Sequence, residues 1–89
     1  MHKHSSHPDI IKRLKRANGQ INKVVAMLED GEKCVDIAQQ MQAVYGAVGK
    51  AKTALVQDHI EGCLEAKSSD KPADIKKKMK ELKEITKYL

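Results

Sequence analysis

CVDIAQQMQAVYGAVGKAKTALVQDHIEGCL, residues Cys34 to Leu64, reads as one long helix and decides the fold. Ile37, Met41, Val44, Val48, Ala51 and Leu55 recur at alternating spacings of four and three. That rhythm puts an apolar seam along one side of a helix. No proline interrupts it. The stretch also holds both cysteines and the one histidine beyond residue 7.

His59 and Cys63 are four residues apart, so they share a face one turn apart. An imidazole and a thiolate at that spacing can hold a soft or borderline metal ion. Cys34 lies 25 residues before His59, about 37 Å along an unbroken helix axis. The three groups cannot meet within one chain, but they can meet between two. In an antiparallel pair that sets Cys34 against the partner's residues 59–63, the helices cross near residues 47–48. Ala43, Gly46, Ala47 and Gly49 stand there and permit close approach. Two mid-helix glycines each weaken the helix by about 1 kcal/mol against alanine, and a close symmetric crossing gives them a reason. A twofold dimer is the commonest assembly, and this one would carry two identical Cys–His–Cys sites.

Composition narrows the class. An 89-residue chain is one domain, 1–89, with residues 1–7 expected as a polar N-terminal arm. Phe and Trp are absent and Tyr occurs twice, so the core is aliphatic. Helix formers dominate, and the expected fold is all-α: a three-helix protomer with a long central helix. So short a chain buries a limited core alone, and association would extend it. The net charge of +5 and pI near 9.3 point to a polyanionic partner, nucleic acid first, with a plainly solvated lysine surface as the alternative. MHKHSSHPDI holds no apolar leader segment and no run reaches membrane-spanning length. The expectation is a cytoplasmic protein with no membrane partner, whose two cysteines do thiol or metal chemistry in a reducing compartment.

Before the central helix, a first helix is expected from about Pro8 to Glu29. Pro8 suits a first turn and Asp9 suits its positive end. Its apolar face is Ile10, Leu14, Ala17, Ile21, Val24, Val25 and Leu28, while Lys12, Arg13, Lys15 and Arg16 concentrate charge elsewhere. Such a cluster suits phosphate contacts or a solvated face. Glu29-Asp30-Gly31-Glu32 is the break, with Gly31 at the helix C′ position. Cys34 then falls at a helix N-terminus, which favours a thiolate. Residues 67–73 read as a linker, with Ser69 or Asp70 expected to cap a last helix of about 72–88. That helix sets Ile75, Met79, Leu82 and Ile85 against a crowd of lysines, and is expected to pack on its own protein rather than on a membrane.

Cys34, His59 and Cys63 are the informative set, the bland alternative being two buried small cysteines and a surface histidine. Two thiolates and an imidazole make a soft three-coordinate site that suits Cu(I). Zn(II) and Ni(II) usually take a fourth ligand, which the arm could offer through His2. No serine–histidine–acid set, glycine-rich phosphate loop or paired carboxylate is evident, so an enzyme is not expected.

RLKRANGQI at 13–21, CVDIAQQMQAV at 34–44 and DHIEGCL at 58–64 together resemble the copper-sensitive operon repressor family, the CsoR/RcnR/FrmR family. The resemblance spans nearly the whole chain. It implies an antiparallel dimer, a disc-shaped dimer of dimers, and a homotetrameric bacterial repressor that leaves operator DNA on binding its inducer. It implies Cys34 as first metal ligand, with the partner's His59 and Cys63 completing the Cu(I)-sensor pattern of metal homeostasis. His2 falls where nickel sensors of the family use an N-terminal histidine, so a Ni(II)/Co(II) sensor is the next reading. Persulfide and aldehyde sensors of the same fold are a further one, with His59 arguing against a persulfide type. A metal buffer with no DNA role stands outside the family's function. Arg13, Lys15, Arg16 and Gln20 match the family's operator-binding surface, and Lys50 falls where it often has arginine. Glu81 matches the glutamate of an outer-shell network around the metal. Two departures are Asn18 before Gly19-Gln20, and Lys33 where copper sensors often carry tyrosine.

Overall fold

The computed structural model describes residues 6–65 and 70–89. The chain forms α1 (His7–Glu29), α2 (Cys34–Leu64) and α3 (Pro72–Ile85), followed by a 3-10 turn at Thr86–Tyr88. The all-α, three-helix reading holds, and α2 runs 31 residues unbroken. Helix α1 begins at His7, inside what the sequence suggested was the arm. His2, the arm's proposed ligand, lies outside the described residues.

The break after α1 is built as the sequence predicts. Gly31 has φ +67°, the left-handed conformation that side-chain-bearing residues avoid. This reversal lets the Gly31 N–H donate to the Leu28 carbonyl at 3.2 Å and the Glu32 N–H to the Met27 carbonyl at 3.0 Å. These two bonds form a Schellman motif, which satisfies the last carbonyls of α1. Gly31→Ala should therefore lower the unfolding free energy by about 1–2 kcal/mol. Urea denaturation of both proteins at one fixed protein concentration checks this, and an unchanged midpoint would show that the turn relaxes freely.

The cap of α3 differs from the expectation. Asp70 does not cap it, and Ser69 lies outside the described residues. The N-cap is Lys71, whose backbone N–H donates to the Asp74 carboxylate at 3.1 Å, with Pro72 in the first turn. Asp70 instead accepts from Lys78 Nζ at 2.9 Å, and the same ammonium donates to the Glu65 carbonyl at 2.9 Å. One lysine of α3 thus fastens the end of α2 to the end of the linker.

The helices pack in a plate of 59 × 23 × 14 Å. Its core is thin: Ile10, Ala17, Val24 and Met27 of α1 meet Ile37, Ala51 and Val56 of α2. Val24, Met27 and Ile37 form the central cluster, with Val44 against it. The apolar seams of both helices therefore split in two. Ile37, Val44 and Ala51 turn inward, while Met41, Val48 and Leu55 of the same seam face outward. On α1, Ile10, Ala17 and Val24 turn inward while Leu14, Ile21, Val25 and Leu28 stay exposed. The single chain leaves 7395 Å² accessible, against about 5200 Å² for a compact monomer of this mass. Half of the apolar pattern is thus uncovered in one protomer.

Candidate metal centre and nucleic-acid face

His59 and Cys63 sit in the last two turns of α2. The regular four-residue spacing stacks them on one face. Helix α3 folds back beside them and brings Glu81. The imidazole, the thiol and the carboxylate each offer a donor atom, and these lie within 4.8 Å of one another. All three residues are partly buried. Beside them opens a cavity of about 440 Å³ lined by His59, Glu81, Glu84, Ile85, Lys87 and Tyr88.

Burial raises the Cys63 thiol above its usual range. The Glu81 carboxylate raises it further, because a second negative charge nearby disfavours thiolate, and Lys78 offsets part of this. A cation held here would replace the thiol proton and meet a carboxylate already in place. The donor set of nitrogen, sulfur and oxygen fits a metal ion.

Cys34 is the first residue of α2 and is exposed. It stands at the far end of the rod that carries His59 and Cys63, so the three proposed ligands do not converge in one protomer. The structure brings together His59, Cys63 and Glu81, and leaves Cys34 facing outward. The resemblance gives Glu81 an outer-shell place, and the structure sets its carboxylate within 4.8 Å of the His59 and Cys63 donor atoms.

The basic residues lie along α1. Arg13, Lys15 and Arg16 are exposed. Arg13 Nε donates to Asp9 at 2.9 Å across one exposed turn, and such a pair yields readily to a phosphate. Gln20 is less accessible than its neighbours, and its Oε1 is buried with no hydrogen-bond partner. Lys50 is exposed on α2. Lys23, which sequence reading missed, is also exposed and continues the row Arg13, Arg16, Gln20. The spacing of three, four and three was legible and marks one helical stripe.

Residues 6–88 match the family model described as metal-sensitive transcriptional repressor. The chain belongs to this family. Its members are transcriptional repressors, not enzymes, as the sequence led us to expect. The chain is 36% identical over 89 residues to the copper-sensing transcriptional repressor CsoR of Bacillus subtilis (strain 168), covering 97% of this chain and 88% of that one. It is 34% identical over 56 residues to the CsoR of Mycobacterium ulcerans (strain Agy99), where the match spans 48% of the relative's length. Among solved structures, the nickel-responsive transcriptional regulator InrS superposes with a TM-score of 0.78 at 27% identity, covering 100% of this chain and 99% of that one. A variant of the formaldehyde-responsive regulator FrmR from Salmonella enterica serovar Typhimurium gives 0.79 at 29%, covering 100% of both chains. These regulators share the all-α architecture described above, and the resemblance to the CsoR/RcnR/FrmR family is confirmed. No helix among the described residues is long and apolar enough to cross a membrane.

Proposed function

We propose that this metal-sensitive repressor family member senses Cu(I). In this reading the metal-free assembly holds operator DNA through Arg13, Lys15 and Arg16, with Gln20, Lys23 and Lys50 beside them. Cys34 of one protomer, with the partner's His59 and Cys63, would hold Cu(I), whose preference for soft, low-coordinate donors fits two thiolates and an imidazole. The observation that carries the reading is the placement of exposed Cys34 and of the His59–Cys63 pair at opposite ends of one unbroken helix. Each end is half a site, and an antiparallel pair of chains completes both. Cytoplasmic action as a homodimer or homotetramer follows from this reading.

The chain's own packing supplies a route from site to DNA face. Ile37, one turn beyond Cys34, packs on Val24 and Met27 of α1. In this reading, fixing Cys34 against a partner helix would be felt at the α1 stripe that bears the basic residues. A coupling of about 1–3 kcal/mol is usual for such linkage, enough to release an operator.

A Ni(II) reading has one observation in its favour, the fold shared with the nickel-responsive InrS. Anaerobic titration of reduced protein with Cu(I) and with Ni(II), followed by operator binding of each form, decides between them. Release by Cu(I) alone supports the copper reading. Release by Ni(II) alone overturns it and makes His2 a ligand. The DNA face is tested by replacing Arg13, Lys15 and Arg16 with alanine together. Operator affinity should fall at every salt concentration, and each lost phosphate contact should reduce the log–log salt slope by about 1. Metal binding should be unchanged. If the wild-type protein binds DNA in neither metal state, it is a metal buffer and not a repressor.

A further inference from the structure

The geometry points to Glu81 as a direct metal ligand that closes a four-coordinate shell for divalent ions, while the Cu(I) set does without it. This inference rests on the sensing site proposed above and concerns which ions that site accepts.

Three observations carry it. The donor atoms of His59, Cys63 and Glu81 already lie within 4.8 Å of one another in one protomer. Around a tetrahedral zinc-like ion, donors stand roughly 3.3–3.8 Å apart, so side-chain rotation alone closes the gap. Room for that rotation exists, because the cavity of about 440 Å³ opens beside His59 and Glu81. Lys78, one turn before Glu81 on α3, gives its hydrogen bonds to other partners. Its ammonium is held by Asp70 and by the Glu65 carbonyl, both at 2.9 Å.

The chemistry separates two classes of ion. A carboxylate oxygen is a hard donor that Cu(I) has little use for. Borderline divalent ions such as Zn(II) and Co(II) take mixed nitrogen, sulfur and oxygen sets and want a fourth ligand. The carboxylate of Glu81 supplies it from α3, beside the imidazole and two thiolates. One site thus presents three donors to a soft monovalent ion and four to a divalent one, and no ligand from the N-terminal arm is required.

The test uses reduced full-length protein and the variants Glu81→Gln and Glu81→His, with Co(II), Zn(II) and Cu(I) added separately. Affinity is read by chelator competition, and the Co(II) shell by its thiolate charge-transfer and ligand-field absorption. Glu81→Gln should weaken Co(II) and Zn(II) by roughly 100-fold or more, about one ligand's share of a structural zinc site. It should change the ligand-field bands and leave Cu(I) affinity within a few-fold. Glu81→His should restore the divalent ions. If Glu81→Gln weakens Cu(I) as much as Co(II), Glu81 acts only by orienting His59 and the inference is overturned. It is also overturned if the Co(II) spectrum is the same in both proteins, or if wild-type protein takes up no Co(II) through its thiolates. Failure of the sensing reading looks different: Cu(I) then binds without Cys34, His59 or Cys63, whatever stands at position 81.

Discussion

Cys34→Ala should abolish the response to Cu(I) while leaving the protein folded and bound to DNA. Cys34 is exposed and adds nothing to the core, so stability should stay within about 0.5 kcal/mol. In the proposed site its loss would remove one ligand of three. Sites of this kind draw roughly 3–4 kcal/mol from each ligand, so Cu(I) affinity should fall about 10²–10³-fold. Competition against a Cu(I) chelator reads the affinity, and fluorescence anisotropy reads the retained operator complex. The trans arrangement has its own signature. Mixing Cys34→Ala chains with His59→Ala chains should restore one good site per mixed dimer, because each variant supplies what the other lacks. A site confined to one protomer gains nothing from mixing. Wild-type affinity in Cys34→Ala would remove this residue from the site altogether.

Val48→Asp should dissociate the assembly. Val48 lies on the outward half of the α2 seam, between Met41 and Leu55, and is 41% exposed in one protomer. It also lies at the expected crossing of two antiparallel α2 helices, so a twofold brings the two new carboxylates together. An unpaired charge buried in such an interface costs about 3–5 kcal/mol. Because the protomer core rests on so few fully buried side chains, unfolding should accompany dissociation. Light scattering should show the wild-type mass halved or worse, and the thermal midpoint should fall well below the wild-type value at the same protein concentration. Val35→Asp is the control, since Val35 is 77% exposed and off the stripe. An unchanged mass in Val48→Asp would place the interface elsewhere.

Much of the fold was legible because periodicity and turn chemistry are local. Gly31 marked the end of α1, and Pro72 and Pro8 fell in first turns. What periodicity cannot say is which neighbour an apolar position meets. Met41 and Val44 look alike in sequence, yet one faces outward and the other packs beneath Val24 and Met27. Met27 and Val56 were missed as core residues for the same reason, since a few tens of degrees around a helix decide burial. The His59–Cys63 pair was legible because one helix sets its geometry. Glu81 was placed near the pair by the resemblance alone, since its position depends on how α3 folds back through Asp70 and Lys78. That angle is written in no local spacing.

The straightness of α2 also governs what oxidation can do. Cys34 and Cys63 are separated by about 43 Å along the axis, whereas a disulfide needs α-carbons within about 7 Å. The chain cannot cross-link to itself while this helix stands. An oxidant strong enough to join the two thiols must join two molecules, and in an antiparallel pair it would do so at both ends. The product is a covalent dimer with its metal sites closed, visible as a doubled band on a non-reducing gel. The helix that keeps Cys34 and Cys63 at opposite ends thus makes any lasting oxidative damage a change in molecular mass.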